Sequence, residues 1–151
     1  MRSQALSIND VKVYIGPVEL VCYGLGSCIG LFITDRLRNI SGCAHIPLPW
    51  GEGSADMRGA DEMLPELLDA FRSHGSDCLN LRAKIVGGAQ IIPLMPSAGD
   101  SNTQTVLDFL RAQKIYIAAI DTGGRVSRTA RFNSTTQMLT ISTSDHKTYA
   151  I

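Results

Sequence analysis

Alternating apolar and polar residues predict two neighbouring strands in the N-terminal third of the chain. Residues 29–34 and 39–46 are rich in apolar side chains, and the polar residues 35–38 separate them. This pattern is typical of a hairpin with a four-residue loop. The register set by this loop places Cys28 directly opposite His45, with their Cβ atoms about 4.5–5.5 Å apart.

The two faces of this predicted hairpin differ in character, because side chains alternate along each strand. One face is aliphatic and is expected to lie on the core, whereas the other carries Cys28 and His45. A register error of one residue would separate the thiol from the imidazole. The aliphatic face consists of Ile29, Leu31, Ile33, Ile40, Gly42 and Ala44.

The rest of the chain predicts more strands than helices. A helical pattern over about residues 56–74 contains Pro65, which predicts either a kink or a later start. Ser101 is predicted to cap a second helix, with Gln104 as its capping-box partner. Strands are predicted at residues 11–15, 18–23, 83–86 and 114–120, and a closing hairpin at 126–132 and 137–143. The expected fold class is α+β, with mixed β-sheets and two main helices packed over them.

Length and composition are those of a globular protein with one domain, residues 1–151. Apolar residues make up 44% of the chain and charged residues 19%, and 14 basic residues balance 14 acidic ones. A neutral chain without basic clusters argues against nucleic acid as a partner. No run approaches the ~20 apolar residues of a transmembrane helix, and residues 1–10 lack the apolar region of a signal peptide. We therefore expect a cytoplasmic protein without membrane insertion.

The cysteines are expected to be free thiols, because an unexported protein rarely forms disulfides. None of the four, Cys22, Cys28, Cys43 and Cys78, forms a C-x-x-C pair. A metal site built from Cys28, Cys43 and His45 would still need a further ligand. Neither a metal nor another cofactor is predicted.

Cys28 and His45 are the candidate catalytic residues. A cysteine needs an adjacent base to become an efficient nucleophile, and the main-chain N–H groups of the Gly26-Ser27-Cys28 bend can stabilise an oxyanion. The predicted reaction is acyl transfer from an amide or ester through a thioester, with His45 moving the protons. The competing interpretation is structural, since free cysteines often serve as small buried apolar residues.

A catalytic histidine also needs a group that orients its ring. The candidates are main-chain carbonyls near Cys22, or the side chains of Asp100, Asn102 and Asp121. Each side chain has a competing local role, because Asp100 and Asn102 can cap a helix and Asp121 can begin a turn.

Four short motifs, in this order, resemble those of the chemoreceptor glutamine deamidase family CheD. The first is Leu-Gly-Ser-Cys at residues 25–28, followed seventeen residues later by Ala-His at 44–45. The second is Ala-Lys-Ile-Val-Gly-Gly-Ala at 83–89, and the third is Gly-Asp-Ser-Asn at 99–102. The fourth begins with Asp-Thr-Gly-Gly at 121–124 and continues with Arg128, Phe132 and Thr136. The similarity extends from about residue 15 to residue 141.

The resemblance implies an α/β sandwich and a cytoplasmic enzyme that needs no cofactor. Such an enzyme hydrolyses the side-chain amide of chemoreceptor glutamines to glutamate and ammonia. By position, Cys28 would be the nucleophile and His45 the base. The implied partners are the cytoplasmic domain of a chemoreceptor and a CheC-type phosphatase.

Two positions depart from the family pattern. Cys22 stands where the family usually has a threonine associated with the active site, and Gln137 stands where it usually has a glycine. Cys22 can replace a threonine that acts through its main-chain carbonyl, but not one whose hydroxyl orients the imidazole. The alternative function is therefore a catalytically weak or inactive CheD-like interaction module that binds a CheC-type phosphatase or a receptor. A third is a thiol acyl hydrolase or transglutaminase that acts on a different protein.

Overall fold

The computed structural model describes residues 1–53, 56–92 and 98–151, which form two five-stranded β-sheets and two α-helices. The strands are β1 (Arg2–Ala5), β2 (Val11–Ile15), β3 (Val18–Leu25), β4 (Ile29–Asp35), β5 (Ile40–Ile46), β6 (Leu81–Gly87), β7 (Tyr116–Thr122), β8 (Arg128–Asn133), β9 (Met138–Thr143) and β10 (Thr148–Ala150). The helices are α1 (Ala60–Ser73) and α2 (Ala98–Ala112). The α+β fold class with two main helices is confirmed.

Both sheets are mixed. The first sheet has the order β1-β3-β8-β9-β10, and the second has the order β2-β5-β4-β6-β7. Only the pairs β1–β3 and β6–β7 are parallel among the described strands. The predicted strands are all present, whereas the sequence pattern did not predict β1 or β10.

The second sheet lies between the helices and the first sheet, and each of its faces contributes to a separate buried cluster. The helix-side layer joins this sheet to α1 and α2; it consists of Ile29, Leu31, Ile33, Ile40, Ala44, Ile46, Ala60, Met63, Leu64, Leu67, Leu68, Phe71, Leu81, Ala83, Ile85, Val106, Leu110 and Ile115. The inter-sheet layer joins the two sheets; it consists of Leu6, Val18, Leu20, Cys22, Leu25, Phe32, Cys43, Val86, Ala130, Phe132, Leu139 and Ile141.

The β4–β5 hairpin has the predicted faces but not the predicted register. Gly30, rather than Cys28, lies opposite His45, so the predicted pairing is wrong by two residues. Because side chains repeat every two residues along a strand, a two-residue shift leaves every side chain on its predicted face. Cys28 therefore remains on the side of the hairpin that carries His45.

Asp35 accounts for the shift. Its carboxylate accepts hydrogen bonds from the main-chain N–H groups of Leu37 (3.0 Å) and Arg38 (3.2 Å) and from the Ser76 hydroxyl (2.6 Å). These bonds hold Asp35 as the last residue of β4, and the loop moves by one position to residues 36–39. Moving both ends of a hairpin loop by one residue changes the pairing by two.

Both helices begin at positions that differ from the prediction. Helix α1 begins at Ala60 and contains Pro65 in its interior. Helix α2 begins at Ala98, so the prediction that Ser101 caps it is wrong. Asn102 also lies inside the helix rather than at its cap. The end of the predicted loop, near residue 55, lies outside the described residues, because 54 and 55 are not among them.

Candidate active site

Cys28 lies in a bend between β3 and β4, at the end of the inter-sheet layer. Its side chain is half-buried, whereas His45 is only 4% exposed. The main-chain carbonyls on either side of Ser27 accept hydrogen bonds from a second segment: Gly26 O from Ala89 N (2.8 Å) and Cys28 O from Gly88 N (2.9 Å). The bend is thereby fixed against the turn that follows β6.

The Gly87-Gly88 turn can approach this closely only because it lacks side chains. A Cβ atom at position 87 would lie 2.2 Å from the carbonyl oxygen of Cys28, and one at position 88 would lie 2.2 Å from the Thr103 hydroxyl. Both glycines also have positive φ angles, 114° and 61°, which favour glycine. The turn in the second motif, residues 83–89, therefore supports the bend in the first motif, residues 25–28, through main-chain contacts.

Asn102 does not orient His45. Its Nδ2 donates to the carbonyls of Ser27 (2.9 Å) and Pro47 (3.0 Å). Asp121 does not do so either: it pairs with Arg128 (3.4 Å between Oδ2 and Nε), and Arg128 in turn donates to Gly87 O (3.3 Å). These parts of the third and fourth motifs thus stabilise the backbone around Cys28.

The group that orients His45 is the main-chain carbonyl of Leu6, which lies 3.0 Å from Nδ1. A carbonyl can only accept, so Nδ1 carries the proton of this bond and the neutral ring has Nε2 as its basic nitrogen. The same N-terminal segment also holds the backbone of His45, whose carbonyl accepts from Asn9 N (3.0 Å) and whose N–H donates to Asp10 O (3.0 Å). The partner is therefore a main-chain carbonyl on the segment that continues β1 beside Cys22, and not the side chain of Asn102 or Asp121.

The sequence offered little signal for this role of the N-terminal segment. Leu6 continues β1, with its N–H donating to Val21 O (2.8 Å), and its side chain is buried. The preceding strand is exposed at three of its four residues, so it shows no apolar alternation. A main-chain carbonyl also leaves no side-chain motif.

Two thiols, those of Cys22 and Cys28, interact with His45, and the Cys43 thiol lies beside Cys22. The Sγ atoms of Cys22 and Cys43 are 3.5 Å apart, and both residues are fully buried. The hydrogen bond with Cys43 lowers the pKa of Cys22, and interactions with His45 lower it further against the effect of burial. Burial raises the pKa of Cys43 well above its usual value.

Burial opposes protonation of His45, but its thiol neighbours outweigh this effect. Hydrogen bonds with Cys22 and then Cys28, together with the Leu6 carbonyl, raise the pKa of His45 to about 10. At neutral pH the site therefore holds an imidazolium beside thiol sulfur. This arrangement is suited to nucleophilic catalysis by sulfur, in which the imidazolium stabilises a thiolate and later donates its proton.

Two further observations concern metal sites and membrane-spanning helices. Within residues 1–53, 56–92 and 98–151, no group of three or more His, Cys, Asp or Glu side chains has the arrangement of a metal site. No helix in the same part of the chain is long and apolar enough to cross a membrane.

Comparisons with known proteins place this chain in a family. Residues 48–143, more than half of the chain, match the family model described as CheD chemotactic sensory transduction. The "Probable chemoreceptor glutamine deamidase CheD" of Clostridium novyi is 35% identical over 147 residues, covering 91% of each chain. The "Chemoreceptor glutamine deamidase CheD" of Halalkalibacterium halodurans is 35% identical over 148 residues, again covering 91% of each.

Solved structures share the fold at low sequence identity. The Bacillus licheniformis hypothetical protein YfiH superposes with a TM-score of 0.51 at 16% identity, covering 74% of this chain and 50% of that protein. A Neisseria meningitidis protein of the DUF152 family gives a TM-score of 0.51 at 12% identity, covering 76% and 53%. The chain spans about half the length of these two structures, and the likeness concerns the fold alone.

Proposed function

The chain belongs to the CheD family, and from this premise we propose that it is a protein-glutamine deamidase acting on chemoreceptors. It hydrolyses the side-chain amide of particular glutamines to glutamate and ammonia. The observation that carries this proposal is the half-buried Cys28 thiol beside His45, whose Nδ1 is fixed by the Leu6 carbonyl 3.0 Å away. The substrate glutamines lie in the receptor's cytoplasmic domain, and the protein acts in the cytoplasm.

In the first half of the reaction, the Cys28 sulfur attacks the amide carbon of the glutamine side chain. The carbonyl π-bond opens to an oxyanion, which the main-chain N–H groups of Ser27 and Cys28 stabilise. His45 donates its Nε2 proton to the amide nitrogen as the C–N bond breaks. Ammonia leaves, and a thioester joins Cys28 to the substrate.

In the second half, water resolves the thioester. His45, now neutral, accepts a proton from the water as its oxygen attacks the thioester carbon. The C–S bond breaks, the product is a glutamate side chain, and the thiolate–imidazolium pair is restored. One amide and one water give one carboxylate and one ammonium, without a cofactor.

Cys22 takes the position of the family threonine and acts on His45 rather than on the substrate. Its sulfur is fully buried against Cys43, so it does not reach a receptor glutamine. Its thiol raises the pKa of His45, which keeps the imidazole protonated. Because Cys28 also interacts with His45, Cys22 competes with it for the same imidazolium.

The test is deamidation of a purified receptor cytoplasmic domain by the full chain. We expect ammonia release and conversion of specific glutamines to glutamate by peptide mass spectrometry. Cys28→Ala and His45→Ala should each abolish both signals. Cys78→Ala is the matched control, since this half-exposed thiol lies beside Arg72 (3.6 Å) and outside the site. Unchanged activity in either site variant would rule out the assigned mechanism.

A second candidate function is a binding module that retains the fold without efficient catalysis. The observation that favours it is the Cys22 thiol, which competes with Cys28 for the His45 imidazolium. Its partner is a CheC-type phosphatase or the receptor. Capture of purified phosphatase, together with no labelling of Cys28 by iodoacetamide at neutral pH, would favour this function over deamidation.

A further inference from the structure

Asn102 occupies an unusual place for a polar residue. It is fully buried within α2, four residues after the helix begins at Ala98. It is therefore not a helix cap, and its side chain does not contact His45. Its amide reaches instead to two separate segments of backbone, one just before Cys28 and one just after β5.

The hydrogen bonds show which end of the Asn102 side-chain amide is used. Nδ2 lies 2.9 Å from Ser27 O and 3.0 Å from Pro47 O. Both partners are carbonyls, so only the NH₂ group satisfies them. The Oδ1 atom is buried without a hydrogen-bond partner among the described residues. A buried unpaired acceptor costs stability, which indicates that the residue serves the two donated bonds.

Together with two main-chain bonds, Asn102 turns three consecutive carbonyls of the bend into the protein. Gly26 O accepts from Ala89 N, Ser27 O from Asn102, and Cys28 O from Gly88 N. Ala89 and Asn102 are buried, so the carbonyls of residues 26 and 27 point inward.

The direction of a carbonyl fixes the direction of the next N–H. In a planar trans peptide the two bonds point in opposite directions, and no cis peptide occurs among the described residues. The N–H groups of Ser27 and Cys28 therefore point outward. Neither donates to a main-chain carbonyl of the described residues.

We propose that Asn102 is a positioning residue for acyl transfer: by holding the Ser27 carbonyl inward, it keeps the Cys28 N–H aimed at the oxyanion. The second bond, to Pro47 O, connects the same amide to the chain two residues after His45. One side chain therefore holds the backbone near both Cys28 and His45. This inference rests on the proposed thioester chemistry at Cys28, but it does not depend on glutamine being the substrate.

Two reagents separate oxyanion stabilisation from thiol activation. Acylation by p-nitrophenyl acetate passes through an oxyanion at Cys28, whereas alkylation by iodoacetamide is a displacement that forms none. Both rates are measured at Cys28 by peptide mass spectrometry across pH 6–9, in the full chain and in Asn102→Ala and Asn102→Asp. The Asp variant preserves the side-chain volume but, when ionised, cannot donate. Gln104→Ala, an exposed amide on the same helix, is the matched control.

We expect acylation to fall by about 10- to 100-fold in both Asn102 variants, which is below the roughly 10²–10³-fold cost of deleting an oxyanion donor itself. Alkylation should stay within about 3-fold with the same pH profile, and Gln104→Ala should match the parent in both rates. In receptor deamidation, kcat should fall with little change in KM.

Three results would overturn the proposal. They are acylation within 3-fold of the parent in a folded variant, an equal fall in acylation and alkylation, and failure of both variants to fold, which would make Asn102 a folding residue. If the parent acylates and alkylates but deamidates no glutamine, the proposed function fails. In that case, a selective loss of acylation in the variants would still support the role of Asn102.

Discussion

The two faces of β4 and β5 carry different kinds of residue, although they belong to the same strands. The face that packs on the helices is aliphatic until Asp35 at its end, and it contributes to the helix-side layer. The face that packs on the first sheet carries Phe32, Thr34, Ser41, Cys43 and His45, all buried. A single sheet thus separates an apolar layer from one that contains titratable groups.

The inter-sheet layer is polar in further places. Lys84 of β6 lies opposite Phe32, and its ammonium donates to the carbonyls of Gln137 (2.5 Å) and Ile151 (2.8 Å). Cys22 and Cys43 meet in the same layer. This difference suggests a division of roles: the helix-side layer supplies stability through buried area, and the inter-sheet layer supplies groups whose charges depend on one another.

Among the substitutions that distinguish the roles of the two layers, Cys28→Ser should have the largest effect. Deamidation should fall by ~10³-fold or more, because a hydroxyl is a far weaker nucleophile than a thiolate. The free energy of unfolding should change by less than about 0.5 kcal/mol, since the half-buried side chain lies at the end of the inter-sheet layer and serine has nearly the same shape. Kinetics with receptor domain and urea unfolding measure the two quantities. A large loss of stability would contradict the division.

Leu67→Ala makes the opposite change, in the helix-side layer. Leu67 is fully buried on α1, so truncation should lower the free energy of unfolding by about 2–5 kcal/mol. The activity of each folded molecule should remain the same, because this layer contains none of the reacting groups. Urea denaturation and active-site titration of the folded fraction measure these effects. A fall in kcat per folded molecule would show that the two layers are coupled.

The pH dependence of stability should reveal the inter-sheet thiols. Between about pH 6.5 and 9, the folded protein, with a Cys22 thiolate and a His45 imidazolium, binds as many protons as the unfolded chain, with a Cys22 thiol and a neutral imidazole. Stability should therefore be flat over this range. Above pH 9 the unfolded cysteines lose protons, whereas His45, with a pKa of about 10, keeps its own and Cys43 stays protonated. The free energy of unfolding should therefore fall, by at most about 1.4 kcal/mol per pH unit for each proton.

Urea unfolding of two variants between pH 6 and 10 tests this assignment. A Cys22→Thr, Cys43→Val double variant should lose most of the alkaline decline. Cys78→Ala should retain it, because that thiol lies outside the inter-sheet layer. If the free energy of unfolding depended on pH identically in the parent and the double variant, the alkaline decline would not come from Cys22 and Cys43.

The smallest effect is expected for Cys22→Thr alone. Removing the Cys22 thiol leaves Cys28 as the sulfur that pairs with the His45 imidazolium, so the Cys28 sulfur should become more reactive. Iodoacetamide labelling of Cys28 at pH 7 should become roughly 2- to 10-fold faster. Cys78→Ala again serves as the control. Slower labelling would mean that Cys22 assists Cys28 rather than competing with it.

The sequence predicted the strands and faces of the central hairpin because alternation is a local signal. It misjudged the register because the hydrogen bond from Ser76 to Asp35 joins residues 41 positions apart. It also identified Cys28 and His45 as a pair, but it could not find the partner of His45. Leu6 acts through its main chain from a strand that lacks apolar alternation.

The bond between His45 and the Leu6 carbonyl has a consequence for how variation at this site should be interpreted. Many side chains at position 6 that preserve the extended backbone would present the same oxygen to the imidazole. The identity of the amino acid there is constrained by packing, and the requirement of the proposed mechanism is met by a peptide group that every residue possesses. Exchange of individual side chains will therefore underestimate the contribution of residue 6, whereas a change in the path of the backbone will expose it.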